Sequence, residues 1–492
     1  MIPALSGVVS PDTLQPLAVP PDSTGPVSPR LTLQQCLDLA RRQNLDLQSE
    51  YQNLAGSQAQ LQQARAPFGP QLSAEFTVPE YSEFRDTQES VALATRIVEQ
   101  TTDFYYTGSL SLSQRVPYVG EFSATSTARR HDFSSNQRSD YLDVIGDLQV
   151  AYRHELLHPA REELALKRAE LGLTSAQYNL DRQRLVLEGQ VIDAFYELVQ
   201  SVRQLEIESQ RLAQSRASLE VARRKFETGV IAEVEALRMQ VAMLRAEASY
   251  ARAETQIERR RDLLRQILGL DQAEPLEVQT EVEHHVYPVE EALALGVGLR
   301  QRTDMRQLEI TEQVRRLSLA EVRQQNGLSA TLNANVSVRG RGDEPGDISR
   351  TLARNQWGLG IAVSLPLIDN GQRRGSERQA EVALEQSRIS REQRRQSIVQ
   401  QIRDAVRNLK EAERQIGLRQ AALEVAERTH QVEQSRFELG LADSQALLNA
   451  QSELTQARLD ALEGVIDYQR QVKNLRLATM ADLSQLAGAT AP

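Results

Sequence analysis

The chain has 492 residues and a formal net charge of −10, with 57 Lys and Arg against 67 Asp and Glu. This acidic balance argues against a nucleic-acid-binding protein, because phosphate neutralisation requires a concentrated basic surface. Only 4% of the residues are aromatic, and Ala, Leu, Gln, Glu and Arg dominate, as in proteins built from long packed helices.

No run of 18 uncharged apolar residues occurs in the chain, so the sequence excludes a transmembrane helix. Membrane β-strands escape that test, since their alternate residues can be polar. Residues 1–30 are rich in proline and lack a basic segment followed by an apolar core. We predict an extended or disordered segment there, with no visible signal peptide. The single cysteine, Cys36, excludes an internal disulfide, and its helical apolar surroundings predict a packed side chain.

An internal repeat organises the chain. The segment 226–229, Phe-Glu-Thr-Gly, recurs as Phe-Glu-Leu-Gly at 437–440, and the same offset of 211 residues holds without a gap from Leu148 to Leu264. Fixed self-similarity of this kind is typical of a duplicated structure. We therefore predict two repeats, residues 31–286 and 287–492, each built as helix, strand, strand and long helical hairpin.

The elements of both repeats follow from hydrophobic periodicity. Those predicted for the first repeat are a helix at 31–66, strands at 71–78 and 147–157 with a β-hairpin insert at 79–145, and a helical hairpin at 159–268. Those predicted for the second are a helix at 289–325, strands at 328–338 and 357–367, and a helical hairpin at 371–487.

Apolar residues recur every seven positions in the long helices, which predicts coiled-coil packing. Gly229 and Gly440 lie where each helical pair must reverse, because glycine tolerates the conformations that end a helix. Such long helices need partner helices from this chain and from other copies of it. The predicted seams are Val191, Leu198, Leu205, Leu212, Leu219, Phe226, then Ala236, Met243, Tyr250, Ile257, Leu264; and Ile402, Leu409, Ile416, Leu423, His430, Phe437, then Leu447, Leu454, Ala461, Tyr468, Leu475.

The segment 328–338 alternates apolar and polar residues over 11 positions. A membrane strand of ~9 to 11 residues has this pattern when one face meets lipid and the other a watery lumen. Four such strands are too few to close a barrel, so a barrel would need several subunits. A soluble sheet of amphipathic strands is the alternative interpretation.

The insert contains two further strand patterns, 110–113 and 121–127, joined by a short turn at 117–120. Long loops at 79–104 and 129–145 would then lie on the opposite side of the sheet, an asymmetry typical of barrel proteins. Our hypothesis is six strands per chain, or 18 in a trimeric barrel.

The tandem halves, the strands between long helices and the turn motifs at 224–229 and 435–440 resemble the TolC-like outer membrane efflux protein family. The resemblance covers residue 31 to about residue 487. It implies a mainly α fold with membrane β-strands: a long antiparallel α-helical coiled-coil tunnel plus a trimeric outer-membrane β-barrel, duplicated in tandem. Members of the family commonly contribute four strands, so the insert departs from the pattern.

The resemblance also implies a function and partners. The chain would be the exit duct of a tripartite efflux or type I secretion system in the Gram-negative outer membrane, extending into the periplasm. It would form a homotrimer in contact with outer-membrane lipid, a periplasmic adaptor protein and an inner-membrane transporter. The alternative is a soluble coiled-coil scaffold or a periplasmic adaptor, which the seven-residue repeats and the acidity would also fit.

The helical-hairpin tips are the candidate site for gating and adaptor docking. Family members often carry acidic residues shortly after the second tip glycine, whereas this chain has Ala446 and Asn449 there. The candidate tip residues are Arg224, Lys225, Phe226, Gly229, Glu233, Glu235, Arg436, Phe437, Gly440 and Asp443.

No enzyme, metal site or cofactor site is predicted. The sequence has no nucleophile elbow, zinc signature or paired catalytic acids in a suitable context. The pair His284 and His285 lies in an acidic connector, where a solvated linker is favoured over a metal site. His430 occupies a seam position, which favours a packed histidine over a pH switch.

Overall fold

The computed structural model describes residues 30–90, 95–157, 161–281, 287–344, 347–351, 353–365 and 367–481. The predicted extended segment lies outside the described residues except for Arg30, and the His284-His285 pair lies outside them entirely. The chain divides into two compact units. The hairpin unit comprises Met1–Asn44, Leu187–Val286 and Leu409–Lys473, and the sheet unit comprises Leu45–Val186, Tyr287–Asn408 and Asn474–Pro492.

The order of the elements repeats along the chain, as predicted, and the fold is mainly helical with one sheet. In the described ranges, no helix has the length and apolar character needed to cross a membrane. The elements are α1 (Leu33–Gln43), α2 (Leu45–Arg65), β1 (Gln71–Ser90), β2 (Thr95–Val116), β3 (Gly120–Ser135), β4 (Tyr141–Glu155), α3 (Arg161–Glu227), α4 (Glu233–Leu268), α5 (Glu291–Gln301), α6 (Thr303–Asn326), β5 (Ser329–Gly342), α7 (Asp347–Thr351), β6 (Ala353–Ser364), α8 (Gln372–Glu438) and α9 (Ser444–Thr479).

The predictions of one continuous helix at 31–66 and at 289–325 are wrong. Asn44 ends α1 with an extended backbone, and its side-chain amide donates a hydrogen bond of 3.0 Å to the carbonyl oxygen of Ile267. Arg302 separates α5 from α6 in the same way and donates to the carbonyl oxygen of Ala478 at 3.2 Å. Neither break residue is a glycine or a proline, so the local sequence does not predict either break. The groups that stabilise both breaks come from distant parts of the chain.

A partly buried ion-pair cluster follows the second break. The Asp304 carboxylate accepts hydrogen bonds from Arg302 at 2.7 Å and from Arg394 at 3.1 Å. Burial would raise the pKa of Asp304, but the two guanidinium groups outweigh it and lower the pKa from an ordinary 3.8 to about 2. These contacts join α6 to α8 within the sheet unit.

We expect this cluster to make stability depend on acid pH. The pKa of Asp304 is lowered by folding, so its contribution is complete above about pH 4 and is lost as the pH falls toward 2. A shift of this size corresponds to about 2 kcal/mol. Denaturant unfolding monitored between pH 5 and 2 should show this loss in the wild type and a weaker one in Asp304→Asn. Equal pH dependence in both proteins would contradict the assignment.

All six strands form one antiparallel sheet in the order β1-β2-β3-β4-β5-β6. Within the described residues the predicted number of six strands is therefore confirmed, and the insert supplies two of them. Closure of these strands into a barrel stays a prediction. The loops predicted at 79–104 and 129–145 are wrong, because β1 and β2 stay paired out to Ser90 and Thr95 and β3 continues to Ser135. The extended parts of these strands contain many polar residues, so a pattern of alternating apolar positions does not reveal them. Backbone pairing between strands does not depend on that alternation.

The predicted seven-residue seams form much of the core of the hairpin unit. Val191, Leu198 and Leu264 are at most 1% exposed, and so are Leu447 and Tyr468. Phe226 is the clear exception, since 42% of its surface is exposed while its repeat counterpart Phe437 is buried. Burial of the seam residues favours the helical pairing through the hydrophobic effect.

Candidate functional site

One face of the sheet is apolar and exposed. A single row across all six strands consists of Leu72, Leu112, Ala124, Val150, Val336 and Trp357. Around this row, on the face that we call the apolar face, twelve large side chains are 44 to 82% exposed. They are Leu72, Phe76, Leu110, Leu112, Phe122, Leu148, Val150, Val336, Trp357, Leu359, Ile361 and Val363. A continuous apolar surface of this extent is typical of an interaction site or a membrane contact.

The opposite face, which we call the polar face, is uncharged over two consecutive rows. Hydroxyl groups dominate there, and those of Ser111 and Thr125 hydrogen-bond across two strands at 3.2 Å. The first row is Gln71, Ser113, Ser123, Ala151, Asn335 and Gly358, and the second is Ser73, Ser111, Thr125, Gln149, Ser337 and Gln356. The predicted alternation between apolar and polar faces therefore extends across all six strands.

Aromatic pairs lie near both ends of the apolar face. Phe122 and Tyr152 have ring centroids 4.8 Å apart near the turn between β2 and β3, and Tyr81 and Phe104 have centroids 5.1 Å apart toward the other end. Phe122 pairs with Gln114 of β2, and Phe104 lies ten residues earlier on the same strand. Ten residues correspond to ~33 Å along a strand. With a tilt of ~40° this spans about 25 Å, the height of the apolar band of outer-membrane strands.

Both helical hairpins turn at a glycine in the left-handed conformation. Gly229 has φ +74° and Gly440 has φ +77°. The amide of each glycine donates to the carbonyl oxygen three residues earlier, at 2.9 Å for Phe226 and 3.0 Å for Phe437. These bonds satisfy carbonyl groups at the ends of α3 and α8. No other atom lies within 4 Å of a Cβ added at either glycine, so the backbone conformation alone requires glycine.

We expect Gly440→Val to loosen the second tip. Left-handed conformation costs about 1 to 2 kcal/mol for an ordinary residue, and a β-branched side chain adds to that strain. Hydrogen exchange of the amides at 437–444 should accelerate in this variant. Gly417→Val is the matched control, because Gly417 lies within α8 with open space around it. Identical exchange in the two variants would contradict the role assigned to Gly440.

The two tips contact each other within the hairpin unit. The Lys225 ammonium group lies 4.4 Å from the centroid of the Phe437 ring and also donates a hydrogen bond to the carbonyl oxygen of Phe437. Phe437 is 2% exposed and packs in a cluster with Leu219, Met239 and Leu447. Lys225 and Phe437 therefore connect the first hairpin to the second.

A second contact joins the tips through Glu235. Its carboxylate accepts a hydrogen bond from the hydroxyl of Ser444 and forms an ion pair with Arg238 at 3.1 Å. Asp443 instead caps its own helix, α9, by accepting a hydrogen bond of 2.8 Å from the amide of Ala446. Carboxylates near helix N-termini are favourable because unpaired amides carry partial positive charge there.

The remaining candidate residues do not join these contacts. Arg224 and Arg436 pair with glutamates one turn earlier on their own helices, at 3.6 Å and 2.7 Å. Glu233 is exposed in the first turn of α4, and Phe226 is largely exposed. The tips thus combine an internal contact with an exposed surface, and their assignment to gating and docking stays a prediction.

Sequence reasoning missed a groove between α3, α4 and α9, with a volume of about 510 Å³. Three of its lining residues are Val234, Leu237 and Val241. Together with Leu244, which does not line the groove, they have the 3-4-3 spacing of a second coiled-coil seam on α4, and this spacing was visible in the sequence. These four side chains are 47 to 52% exposed. The other lining residues are Arg211, Ser215, Arg238, Ala242, Arg245, Gln445, Leu448, Asn449, Gln451 and Ser452.

His430 is 6% exposed in the α8 seam. Burial, and secondarily the nearby Arg458, lowers the pKa of its imidazole. Within the described ranges, no group of three or more His, Cys, Asp or Glu side chains is arranged to hold a metal ion.

Comparison with known proteins identifies the family. The family model of the outer membrane efflux protein matches residues 160–270 and 299–480, which is 293 of the 492 residues (111 in the first segment and 182 in the second). The chain belongs to the outer membrane efflux protein family. Since this is a family of channels, the chain is not an enzyme. No curated protein matches the chain in sequence.

Solved structures share the fold over nearly the whole chain. The outer membrane protein VceC from Vibrio cholerae has a TM-score of 0.70 at 16% identity, with 92% of this chain and 96% of that chain covered. The CmeC outer membrane channel from Campylobacter jejuni has a TM-score of 0.69 at 14% identity, with 92% and 87% covered. The open state of the MtrE outer membrane channel from Neisseria gonorrhoeae has a TM-score of 0.64 at 17% identity, with 92% and 90% covered.

Proposed function

We propose that this chain is one protomer of a homotrimeric exit duct in the Gram-negative outer membrane. Its sheet joins those of two other copies to close an 18-stranded barrel, and its helices extend into the periplasm as a tunnel. Solutes move passively through this duct from an inner-membrane transporter to the exterior. Membership of the outer membrane efflux protein family supports the location in the outer membrane and the outward movement of solutes.

The observation that carries the proposal is the separation of apolar and polar faces across six paired strands. The apolar face leaves side chains such as Leu148 and Trp357 about half or more exposed, which is costly in water and favourable in lipid. The polar face offers hydroxyl and amide groups suited to a water-filled lumen. A soluble coiled-coil scaffold, the alternative, would have no use for so large an exposed apolar surface.

The tips supply the expected docking and gating surface of the proposal. Phe226 and Val230 are 42% and 62% exposed at the first turn, and Leu439 and Leu441 are 75% and 68% exposed at the second. Exposed apolar groups at the end of a helical bundle suit a protein partner. We assign this surface to a periplasmic adaptor, while the contacts of Lys225 and Glu235 hold the two hairpins together.

The mass of the detergent-extracted protein tests the proposed assembly. One chain has a mass of 55.1 kDa, so a trimer has about 165 kDa, three times that value. Light scattering with correction for bound detergent should give this mass. A monomer that remains dispersed without detergent would contradict the barrel and favour the scaffold.

A further inference from the structure

The polar face of the sheet changes character toward its outer end, the end that lies away from the long helices. Its two uncharged rows contain no aromatic ring, whereas four rings lie together on the same face farther along β2, β3 and β4. Tyr105 pairs with His131 across β2 and β3, and Phe133 pairs with Tyr141 across β3 and β4. We call these four residues the ring cluster.

Contacts between the rings make the ring cluster one continuous strip. The rings of Tyr105 and His131 are stacked with centroids 4.3 Å apart, and those of Phe133 and Tyr141 are stacked with centroids 4.7 Å apart. His131 also contacts Tyr141 edge to face at 5.5 Å. Cross-strand ring pairs stabilise a sheet. Tyr141 nevertheless stays 47% exposed, so the strip also presents ring surface to the solvent.

Carboxylates lie beside the ring cluster. Glu80 of β1 is the cross-strand partner of Tyr105, and the Asp103 carboxylate accepts a hydrogen bond of 2.6 Å from Nε2 of His131. Glu80 is exposed, and within the described ranges it has no cationic partner. Side chains of directly opposed strand residues are ~5 Å apart at their Cβ atoms. The charge of Glu80 therefore lies next to the Tyr105 ring.

The outer part of the polar face carries an excess of negative charge. From the level of Glu75 outward, seven carboxylates of the strands lie on this face against three guanidinium groups. They are Glu75, Glu80, Asp86, Glu99, Asp103, Asp143 and Asp147, against Arg129, Arg339 and Arg341. Glu99 also pairs with Arg138 between β3 and β4, so at least three negative charges per chain stay in excess. A passage lined by one sign of charge concentrates ions of the opposite sign.

Rings and carboxylates together are suited to an organic cation. The face of an aromatic ring attracts a cation, and groups of rings recognise quaternary ammonium ions. A quaternary ammonium has no N–H group to donate, so it gains more from ring surface than from the hydroxyl groups of the two uncharged rows. An anion of the same size would meet ring faces and carboxylates that repel it.

The ring cluster lies at the level of the outer aromatic pair of the apolar face. Phe104 of that pair and Tyr105 are consecutive residues of β2, so their side chains lie on opposite faces of the sheet. In the proposed barrel, the ring cluster therefore lines the lumen at the outer boundary of the membrane, where a solute leaves the duct.

We propose that the ring cluster and Glu80 form a binding subsite for organic cations in the outer part of the lumen. A cation that has passed the uncharged rows is held between ring faces and the Glu80 carboxylate before it is released outside. This inference rests on the proposed channel. It adds a class of solute, ammonium ions with aromatic or alkyl groups, and the residues that recognise it.

Block of the single-channel current by phenyltrimethylammonium tests the subsite in the wild-type trimer. With ~0.1 M KCl on both sides of a planar bilayer, charges farther than ~10 Å from the subsite are largely screened. The cation should then reduce the current as its concentration rises, whereas benzenesulfonate, an anion of similar size, should not. Equal block by both ions, or block by neither, would overturn the proposal.

Substitutions assign the block to the ring cluster. Tyr105→Leu with Tyr141→Leu removes two rings and keeps apolar side chains, so the half-blocking concentration should rise about tenfold. Tyr105→Phe with Tyr141→Phe keeps the rings, and its half-blocking concentration should stay within about twofold of the wild type. Tyr106→Leu is the matched control, because Tyr106 is the next residue of β2 and lies 41% exposed on the apolar face.

Glu80→Gln keeps all four rings and should raise the half-blocking concentration about threefold. Unchanged block in this variant and in the leucine double variant, or an equal loss of block in Tyr106→Leu, would overturn the subsite while leaving the channel intact. Wild-type protein that inserts and conducts no ions would instead overturn the proposed function itself.

Discussion

Replacement of Leu148 by arginine is expected to prevent stable insertion of the sheet into a membrane. Leu148 lies on the apolar face, four residues from the level of Tyr152, and is 47% exposed. An arginine at the bilayer midplane costs about 2 to 4 kcal/mol per copy. In a trimer that penalty applies three times, so the folded membrane-inserted fraction should fall by at least about a hundredfold.

Gln149→Arg is the matched control. Gln149 is the next residue on β4, is also exposed, and lies on the uncharged polar face. There an arginine would meet water rather than lipid, so insertion should be nearly unchanged. Refolding into lipid vesicles, measured by protection from added protease, compares the two variants directly. Equal insertion of both, or a greater loss in Gln149→Arg, would contradict the assignment of the faces.

Replacement of Phe437 by alanine is expected to cause the second large effect. Phe437 is 2% exposed in a cluster with Leu219, Ala222 and Met239, and its ring is covered by the Lys225 ammonium group. Removing a buried phenylalanine side chain costs about 3 to 5 kcal/mol. Both hairpins share this cluster, so the loss should separate the tips as well as destabilise α8.

Phe226→Ala is the matched control, because Phe226 holds the same place in the first repeat. It is 42% exposed, so its removal should cost less than about 1 kcal/mol of stability. Denaturant unfolding of the detergent-extracted protein, together with hydrogen exchange of the tip amides, should distinguish the two variants. Similar destabilisation by both substitutions would mean that the asymmetry between the tips is not a property of the folded protein.

This asymmetry marks a limit of the sequence analysis. The motifs at 226–229 and 437–440 predict both turns, because a left-handed glycine after an apolar heptad depends only on local residues. They do not predict that Phe437 is buried and Phe226 exposed, since that depends on Lys225 and Met239 of the other hairpin. Equal motifs therefore locate the tips but do not assign their contacts.

The sheet, like the tips, was predictable from the sequence only in part. Strict alternation predicts the apolar and polar faces of 328–338, and the strand patterns at 110–113 and 121–127 predict the number of strands. The outer half of β1 and β2 contains Glu80, Glu83 and Asp86, so its extension is visible only through backbone pairing with residues 95–105. The helix breaks at Asn44 and Arg302 likewise depend on partners more than 170 residues away, which no local pattern records.

Current through a planar lipid bilayer tests the central claim most directly. The wild-type trimer, added from detergent to one side, should produce discrete current steps of uniform size as single channels insert. At equal protein concentration, Leu148→Arg should produce almost none, while Gln149→Arg should resemble the wild type. Trimeric wild-type protein that inserts into the bilayer and conducts no ions would contradict the account of this chain as a channel.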